Sequence, residues 1–259
     1  MRWDNQLIPG TVLDTRREDA GAGTAEPAIE LEGLRRDYGE LPVLLGVTLE
    51  LPVGRTLAVI GPNGSGKTTL LRILATLLRP TAGQATVLGA KVPRQAWRVR
   101  GRVGFLGHES LLYRDLTVRE NLRFNARLHD LPSADEAIAD VLRAAGLTRR
   151  ADDLVRELSA GIVQRAAICR AVLHEPELLL LDEPMSHLDP DAAALAGRLI
   201  GPRPGRTRVL VTHDVEGALT EGDLVLALRA DGTVGYSGPA AGLSAGDARA
   251  IYSGREVFS

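Results

Sequence analysis

Gly61-Pro62-Asn63-Gly64-Ser65-Gly66-Lys67-Thr68-Thr69 is the stretch on which the fold turns. It follows the continuous apolar run Leu57-Ala58-Val59-Ile60, which reads as a buried parallel strand. After it comes a helical pattern that stops at Arg79-Pro80. Gly61 to Thr68 fits G-x-x-x-x-G-K-[ST] in the strand-then-helix setting that gives this motif its meaning. Gly64 and Gly66 let backbone N–H groups turn inward as a nest for the β-phosphate, and the helix N-terminus adds a favourable dipole. Lys67 supplies compact, mobile charge to the β- and γ-phosphates, and Thr68 a hydroxyl for Mg²⁺. Of 31 basic residues only Lys67 and Lys91 are lysine. Lys67 has a chemical reason to differ from arginine, because a planar guanidinium fits this loop poorly.

A second apolar strand, Leu178 to Leu181, ends in Asp182-Glu183. A carboxylate delivered at the C-terminal edge of such a strand is the Walker B arrangement. Asp182 is then expected to hold Mg²⁺ through water, and Glu183 to act as general base, an effect of about 10²–10⁴ in rate. A guanine reader is disfavoured, since Asn-Lys-x-Asp needs a lysine and Lys91 sits in Ala90-Lys91-Val92-Pro93. Tyr38, upstream in Arg36-Asp37-Tyr38-Gly39, is placed to stack on adenine.

Around these motifs the chain is ordinary. It has 259 residues, 44% hydrophobic and 25% charged, with net charge −2. Near-neutral charge and 3% aromatics argue against nucleic acid as a partner. No apolar run approaches the about 20 residues that cross a bilayer, and no secretory leader is visible. Cys169 is a single cysteine and reads as a small buried side chain.

Residues 1–27, polar and Gly/Ala-rich, are expected to form a flexible extension. Ile29 and Leu31, then Val47, Leu49 and Leu51, alternate as half-buried strands do. Thr117 to Glu120 and Ser133 to Glu136 both carry capping-box spacing, so helices interrupt the α/β core over about 112–157. The core resumes with a helix from Ile162 to His174, and Asp189-Pro190 opens another. The strand Arg208 to Thr212 follows. Asp231-Gly232 lies between the apolar runs Leu224–Leu228 and Thr233–Tyr236 as a hairpin signal. Residues 241–259 form a tail in which Ala250-Ile251-Tyr252 can meet the core.

Three further motifs point to one family. Leu158-Ser159-Ala160-Gly161 with Gln164-Arg165 resembles the signature of ATP-binding cassette (ABC) proteins, Ser186-His187-Leu188-Asp189 resembles their D-loop, and Thr212-His213-Asp214 their switch histidine. With the phosphate loop, Tyr38 and Asp182-Glu183, these run in family order over about 28–240. The resemblance implies an α/β fold: a P-loop NTPase core of ABC ATPase type, with an N-terminal antiparallel β subdomain and an inserted helical subdomain. It implies ATP and Mg²⁺ as cofactors. Nucleotide-binding residues are then Tyr38, Gly61, Pro62, Asn63, Gly64, Ser65, Gly66, Lys67, Thr68 and Thr69, with Ser159 and Gly161 from a partner. Glu183 and His213 are the catalytic candidates, and Thr68, Asp182 and Glu109 the candidate metal contacts. Glu109 stands where the family has glutamine, and Ile162 replaces the usual polar residue after the signature glycine.

The resemblance further implies a head-to-tail homodimer or a paired ATPase subunit. That pair would sit peripherally on the cytoplasmic face of the membrane, serving a separate integral membrane permease. Phe105 to Glu109 and Leu116 to Phe124 are similar to the haem-exporter ATPase of cytochrome c maturation. The alternatives are an exporter of drugs, lipids or polysaccharides, a soluble ABC ATPase of repair or translation, and a weakly active regulatory subunit suggested by Glu109.

Overall fold

The computed structural model describes residues 26–252, so residues 1–25 of the extension expected over 1–27, and residues 253–259 of the tail, lie outside the described residues. The first elements are β1 (Ile29–Tyr38), β2 (Leu41–Leu51), β3 (Thr56–Ile60), α1 (Lys67–Leu74), β4 (Ala82–Val87), β5 (Ala90–Val92), α2 (Trp97–Arg100) and β6 (Val103–Leu106). The helical insert holds α3 (Val118–Leu128) and α4 (Ala134–Ala144), with two short 3₁₀ turns behind them. Next come α5 (Ala160–Val172), β7 (Leu178–Asp182), α6 (Pro190–Ile200), β8 (Thr207–Val211), α7 (Val215–Glu221), β9 (Leu224–Leu228), β10 (Val234–Pro239) and α8 (Ala245–Tyr252).

Two sheets result. One is four-stranded and antiparallel, in the order β2-β1-β4-β5; the other is six-stranded, in the order β10-β9-β3-β8-β7-β6. In the larger sheet β9, β3, β8, β7 and β6 pair in parallel, and β10 adds an antiparallel edge. Alternation explains the first sheet: Ile29 faces Leu51 and Leu31 faces Leu49 across β1 and β2, all four buried. The leucine run of β7 is divided between two faces. Leu178 and Leu180 join α1 and the antiparallel sheet in one core, whereas Leu179 and Leu181 join α5, α6 and the helical insert in another. Burial on both faces is why this strand reads as continuous rather than alternating.

Several boundaries differ from the expectations. Helix α1 ends at Leu74, short of Arg79, because Thr76 adopts a φ of 62° and accepts a hydrogen bond from Arg100 Nε at 3.2 Å. The two capping-box sequences behave differently. Thr117 forms the full box, with Glu120 N–H donating to its hydroxyl at 3.1 Å and its own N–H donating to Glu120 Oε2 at 2.8 Å. Ser133 does not cap: its φ of 54° is left-handed, and only its carbonyl serves the helix. A cap needs extended backbone at that residue to aim the oxygen at the first turn. Helix α5 begins at Ala160 and stops at Val172, two residues ahead of the expected span at each end.

The asparagine-free turn Leu88-Gly89, with φ of 47° and 74°, joins β4 to β5, a hairpin the sequence did not disclose. Lys91 is exposed in β5, and nothing around it distinguishes it from arginine. Asp189 caps α6 from the position before Pro190, accepting from Ala192 N–H at 2.8 Å. Ala248 and Ile251 of α8 are buried against β9 and α7, so the described part of the tail belongs to the core.

Candidate functional site

The parallel strands place their C-terminal ends side by side, the edge at which open α/β sheets bind ligands. A cleft of about 580 Å³ opens there, lined by Asn63, Gly64 and Gly66 to Thr69 of the phosphate loop, but not by Gly61, Pro62 or Ser65, and by Tyr38, Asp182, Glu183 and His213 among others. Gly61 has a φ of 150°, and a Cβ on it would stand 2.5 Å from Leu228 O and 2.8 Å from Ser65 Oγ. Gly66, at a φ of 96°, is the N-cap of α1, and a Cβ there would meet Leu44 Cδ2 at 2.6 Å and Val43 O at 2.7 Å. The antiparallel sheet therefore presses directly on the loop. Gly64, also left-handed at 82°, has open space beside it and lines the cleft with Asn63, Lys67, Thr68 and Thr69.

Lys67 is buried and donates from Nζ to Gly61 O at 2.8 Å and Pro62 O at 2.9 Å. Burial lowers its pKa, against the raising influence of the Glu183 and Asp182 carboxylates. Ser65 Oγ is buried and has no hydrogen-bond partner, so the loop holds an unused donor and acceptor. Thr68 Oγ1 donates to Asp182 Oδ2 at 2.8 Å, joining the first turn of α1 to the last residue of β7.

Glu183 follows Asp182 with a φ of 49°, its N–H donating to Val211 O at 2.9 Å. Its Oε1 lies 3.3 Å from His213 Nε2 but is buried without an aligned hydrogen bond. Burial raises the Glu183 pKa above the ordinary carboxylate range, reinforced by Asp182 and opposed by His213 and Lys67. A carboxylate with a raised pKa and an unused oxygen is chemically a proton acceptor. Tyr38 is 43% exposed; Arg36 Cζ sits 4.6 Å from its ring centroid and covers one face.

Not every expected residue reaches the cleft. Ser159 and Gly161 are absent from its lining, with Ser159 exposed at the N-cap of α5 and its hydroxyl making no capping bond. Gly161 packs against the D-loop-like segment, where a Cβ would meet His187 O at 2.9 Å. Glu109 is exposed and outside the lining, whereas its neighbour His108 lines the cleft. His187, with a φ of 64°, and Ser186 also line it. Sequence reasoning assigned none of these three a site role, although each is next to or within a motif it had marked. Among the described residues no group of three or more His, Cys, Asp or Glu side chains is arranged to hold a metal by itself. The oxygen pair of Thr68 and Asp182 needs phosphate or water oxygens to complete a coordination sphere. Cys169 is fully buried, and burial pushes its thiol up to about 12.

Comparison with known proteins extends these observations. A family model described as ABC transporter matches residues 44–186. The chain is 37% identical over 196 residues to the Nod factor export ATP-binding protein I of Ralstonia nicotianae, covering 74% of this chain and 61% of that protein. It is 39% identical over 194 residues to a daunorubicin resistance ATP-binding protein of Streptomyces coeruleorubidus, covering 73% and 60%. To a phosphonates import ATP-binding protein of Anaeromyxobacter dehalogenans it is 37% identical over 244 residues, covering 88% and 49%. A solved ATP binding subunit of an ABC transporter superposes with a TM-score of 0.80 at 27% identity, covering 87% of this chain and 99% of that one. A dimeric ATP-binding cassette in a post-hydrolysis state, bound to ADP and Pi, gives 0.75 at 27% identity, covering 83% and 100%. Of the three curated relatives named, the chain spans between 49% and 61% of the length.

Proposed function

The chain belongs to the ABC transporter family, and from that premise we propose that it binds and hydrolyses ATP to drive transport through a separate membrane subunit. One observation carries this reading. Lys67, Thr68, Asp182, Glu183 and His213 converge at one sheet edge, while Ser159 and Gly161 stay outside that cleft in the same chain.

In this reading the loop N–H groups and Lys67 bind the phosphates, Lys67 exchanging the Gly61 and Pro62 carbonyls for phosphate oxygens. The free face of Tyr38 stacks on adenine. Thr68 Oγ1 and Asp182 Oδ2 are hard oxygen donors 2.8 Å apart and fit Mg²⁺, Asp182 acting through water. A cation held there would supply charge neutralisation at the β- and γ-phosphates. Glu183 takes the proton of the water that attacks the γ-phosphate, and His213, 3.3 Å away, orients that water and contacts the phosphate. Ser159 and the N-terminus of α5 face the γ-phosphate held by a second copy, giving a head-to-tail pair with two shared sites.

No helix among the described residues is long and apolar enough to cross a membrane; the transport names of the relatives are what support a separate permease, with this chain at the cytoplasmic membrane face. Two of the three relatives named above are called export or resistance proteins, which supports export of a small molecule. Haem export for cytochrome c maturation rests only on Phe105 to Glu109 and Leu116 to Phe124, and none of those three relatives carries that name. Cargo of the kind those two names state, a drug or a Nod factor, is therefore the better-supported class. Titration with a fluorescent ATP analogue tests the site itself: Lys67→Ala should weaken binding by about tenfold or more, the scale of a lost charged contact. Equal affinity for the variant and the unaltered chain would remove the loop as the phosphate cradle.

A further inference from the structure

At the opposite end of the same central strands lies a second cleft of about 440 Å³, lined by Arg203, Arg206, Glu221 and Asp223 with Thr56 and Thr220. It is built where α6 ends. Three arginines there donate to three consecutive carbonyls of the last turn of α6: Arg203 to Arg198 O, Arg206 to Leu199 O, and Arg208 to Ile200 O at 2.9 Å. A helix C-terminus carries a partial negative charge of roughly half an electron, which three guanidinium groups more than neutralise.

The carboxylates at this cleft are already committed. Glu221 Oε2 accepts from the fully buried Arg208 at 3.1 Å. Asp223 accepts from Arg55 at 2.8 Å and from Thr56 N–H at 2.7 Å. Arg203 and Arg206 form no ion pair among the described residues; Glu175 is within electrostatic reach of Arg206 without pairing with it. Burial, followed by the repulsion of Arg203 and Arg208, holds the Arg206 guanidinium below its usual pKa. Mutual repulsion of cations fixed by backbone contacts is relieved by an anion between them, and guanidinium forks favour tetrahedral oxyanions.

We propose that Arg203 and Arg206 form a binding site for a small phosphate anion at the end of α6, remote from the nucleotide cleft. Thr56 starts β3, which ends at the phosphate loop, and Arg208 is the second residue of β8, whose last residue, Val211, accepts from Glu183 N–H.

Inorganic phosphate is the probe, titrated at constant ionic strength with melting temperature as the readout. The unaltered chain and Lys67→Ala should both show a saturable rise, because the second site does not use the phosphate loop. Arg203→Gln with Arg206→Gln should need about tenfold more phosphate or more for the same rise, as two charge-assisted contacts are lost. Both arginines bond the last turn of α6, but Arg206 is half-buried and Arg203 exposed, so Arg203→Gln alone is the milder variant, its melting temperature without phosphate reading any cost to folding. It should show the same weakening in smaller measure. An unchanged midpoint in Arg203→Gln, a rise that never saturates, or a rise lost in Lys67→Ala and kept in the double variant would each overturn the proposal.

Discussion

The two halves of the signature chemistry sit in contrasting surroundings. At the phosphate loop Lys67 and Asp182 are buried, and each is held by hydrogen bonds from within the chain. At the start of α5, Ser159 is exposed, heads a helix without capping it, and lies outside the cleft. A serine at an N-cap ordinarily gives about 1 kcal/mol to its helix by bonding the first turn. Here that interaction is forgone. The phosphate-loop wall is complete in a single chain, whereas Ser159 leaves its hydroxyl exposed and without a capping bond, the arrangement the proposed head-to-tail pair would use.

This contrast gives ordered expectations. The largest effect belongs to the complete wall: Glu183→Gln should lower the rate of phosphate release by about 10²–10⁴ with nucleotide affinity retained. Burial raises the Glu183 pKa, so its ionised form costs the fold free energy. Its favourable contribution is present below the ordinary carboxylate pKa and is lost as pH rises through the raised value. The same variant should therefore melt higher than the unaltered chain at neutral pH, and an unchanged melting temperature would argue against a strained carboxylate. Hydrolysis should fall on acidification through the raised pKa, which a pH–rate profile reads directly.

The outward wall should respond differently. Ser159→Ala should cut hydrolysis by about 10²-fold, the scale of losing a preorganised donor at a developing charge. Nucleotide affinity of the dilute single chain should stay constant, because Ser159 does not line its own cleft. A parallel loss of monomer affinity, measured by titration at low protein concentration, would break the contrast.

Away from the site, the helical side carries a titration that affects stability alone. His129 and His174 stack with ring centroids 3.8 Å apart, and burial pushes His174 down to about 4. Its stabilising effect is full above the unfolded value of 6.5 and is lost as pH falls towards 4, about 3 kcal/mol at 1.36 kcal/mol per unit before solvent screening at this partly exposed ring, and about 2 kcal/mol with it. Denaturant titrations at pH 7 and pH 4.5 measure it, and His174→Gln should flatten the difference. The smallest change is Thr117→Ala, which removes a complete capping box and should cost about 1 kcal/mol of stability. Ser133→Ala, at a helix start with no side-chain cap, should cost less.

Much of this was legible in the sequence where local chemistry decides structure. The phosphate loop, the apolar strands β3 and β7 and the Asp189-Pro190 helix start each demand particular residue types at fixed spacing. What escaped depends on tertiary contact. Thr76 stops α1 early because Arg100 holds its hydroxyl, and Ser133 cannot cap because its backbone is left-handed. His108 rather than Glu109 lines the cleft, a difference of one residue that spacing alone cannot resolve. The arginines at the end of α6 belong to no sequence motif, and only the neighbouring carbonyls of α6 that they share as targets bring them together.

The central claim, a site shared head to tail between two copies, is tested most directly by mixing two inactive variants. Lys67→Ala keeps the outward wall and loses the loop, while Ser159→Ala keeps the loop and weakens the outward wall. Random pairing makes about half the dimers mixed, each with one of two sites intact. The mixture should therefore recover up to about a quarter of the unaltered ATPase rate. A mixed sample no more active than the sum of its parents would contradict the shared site.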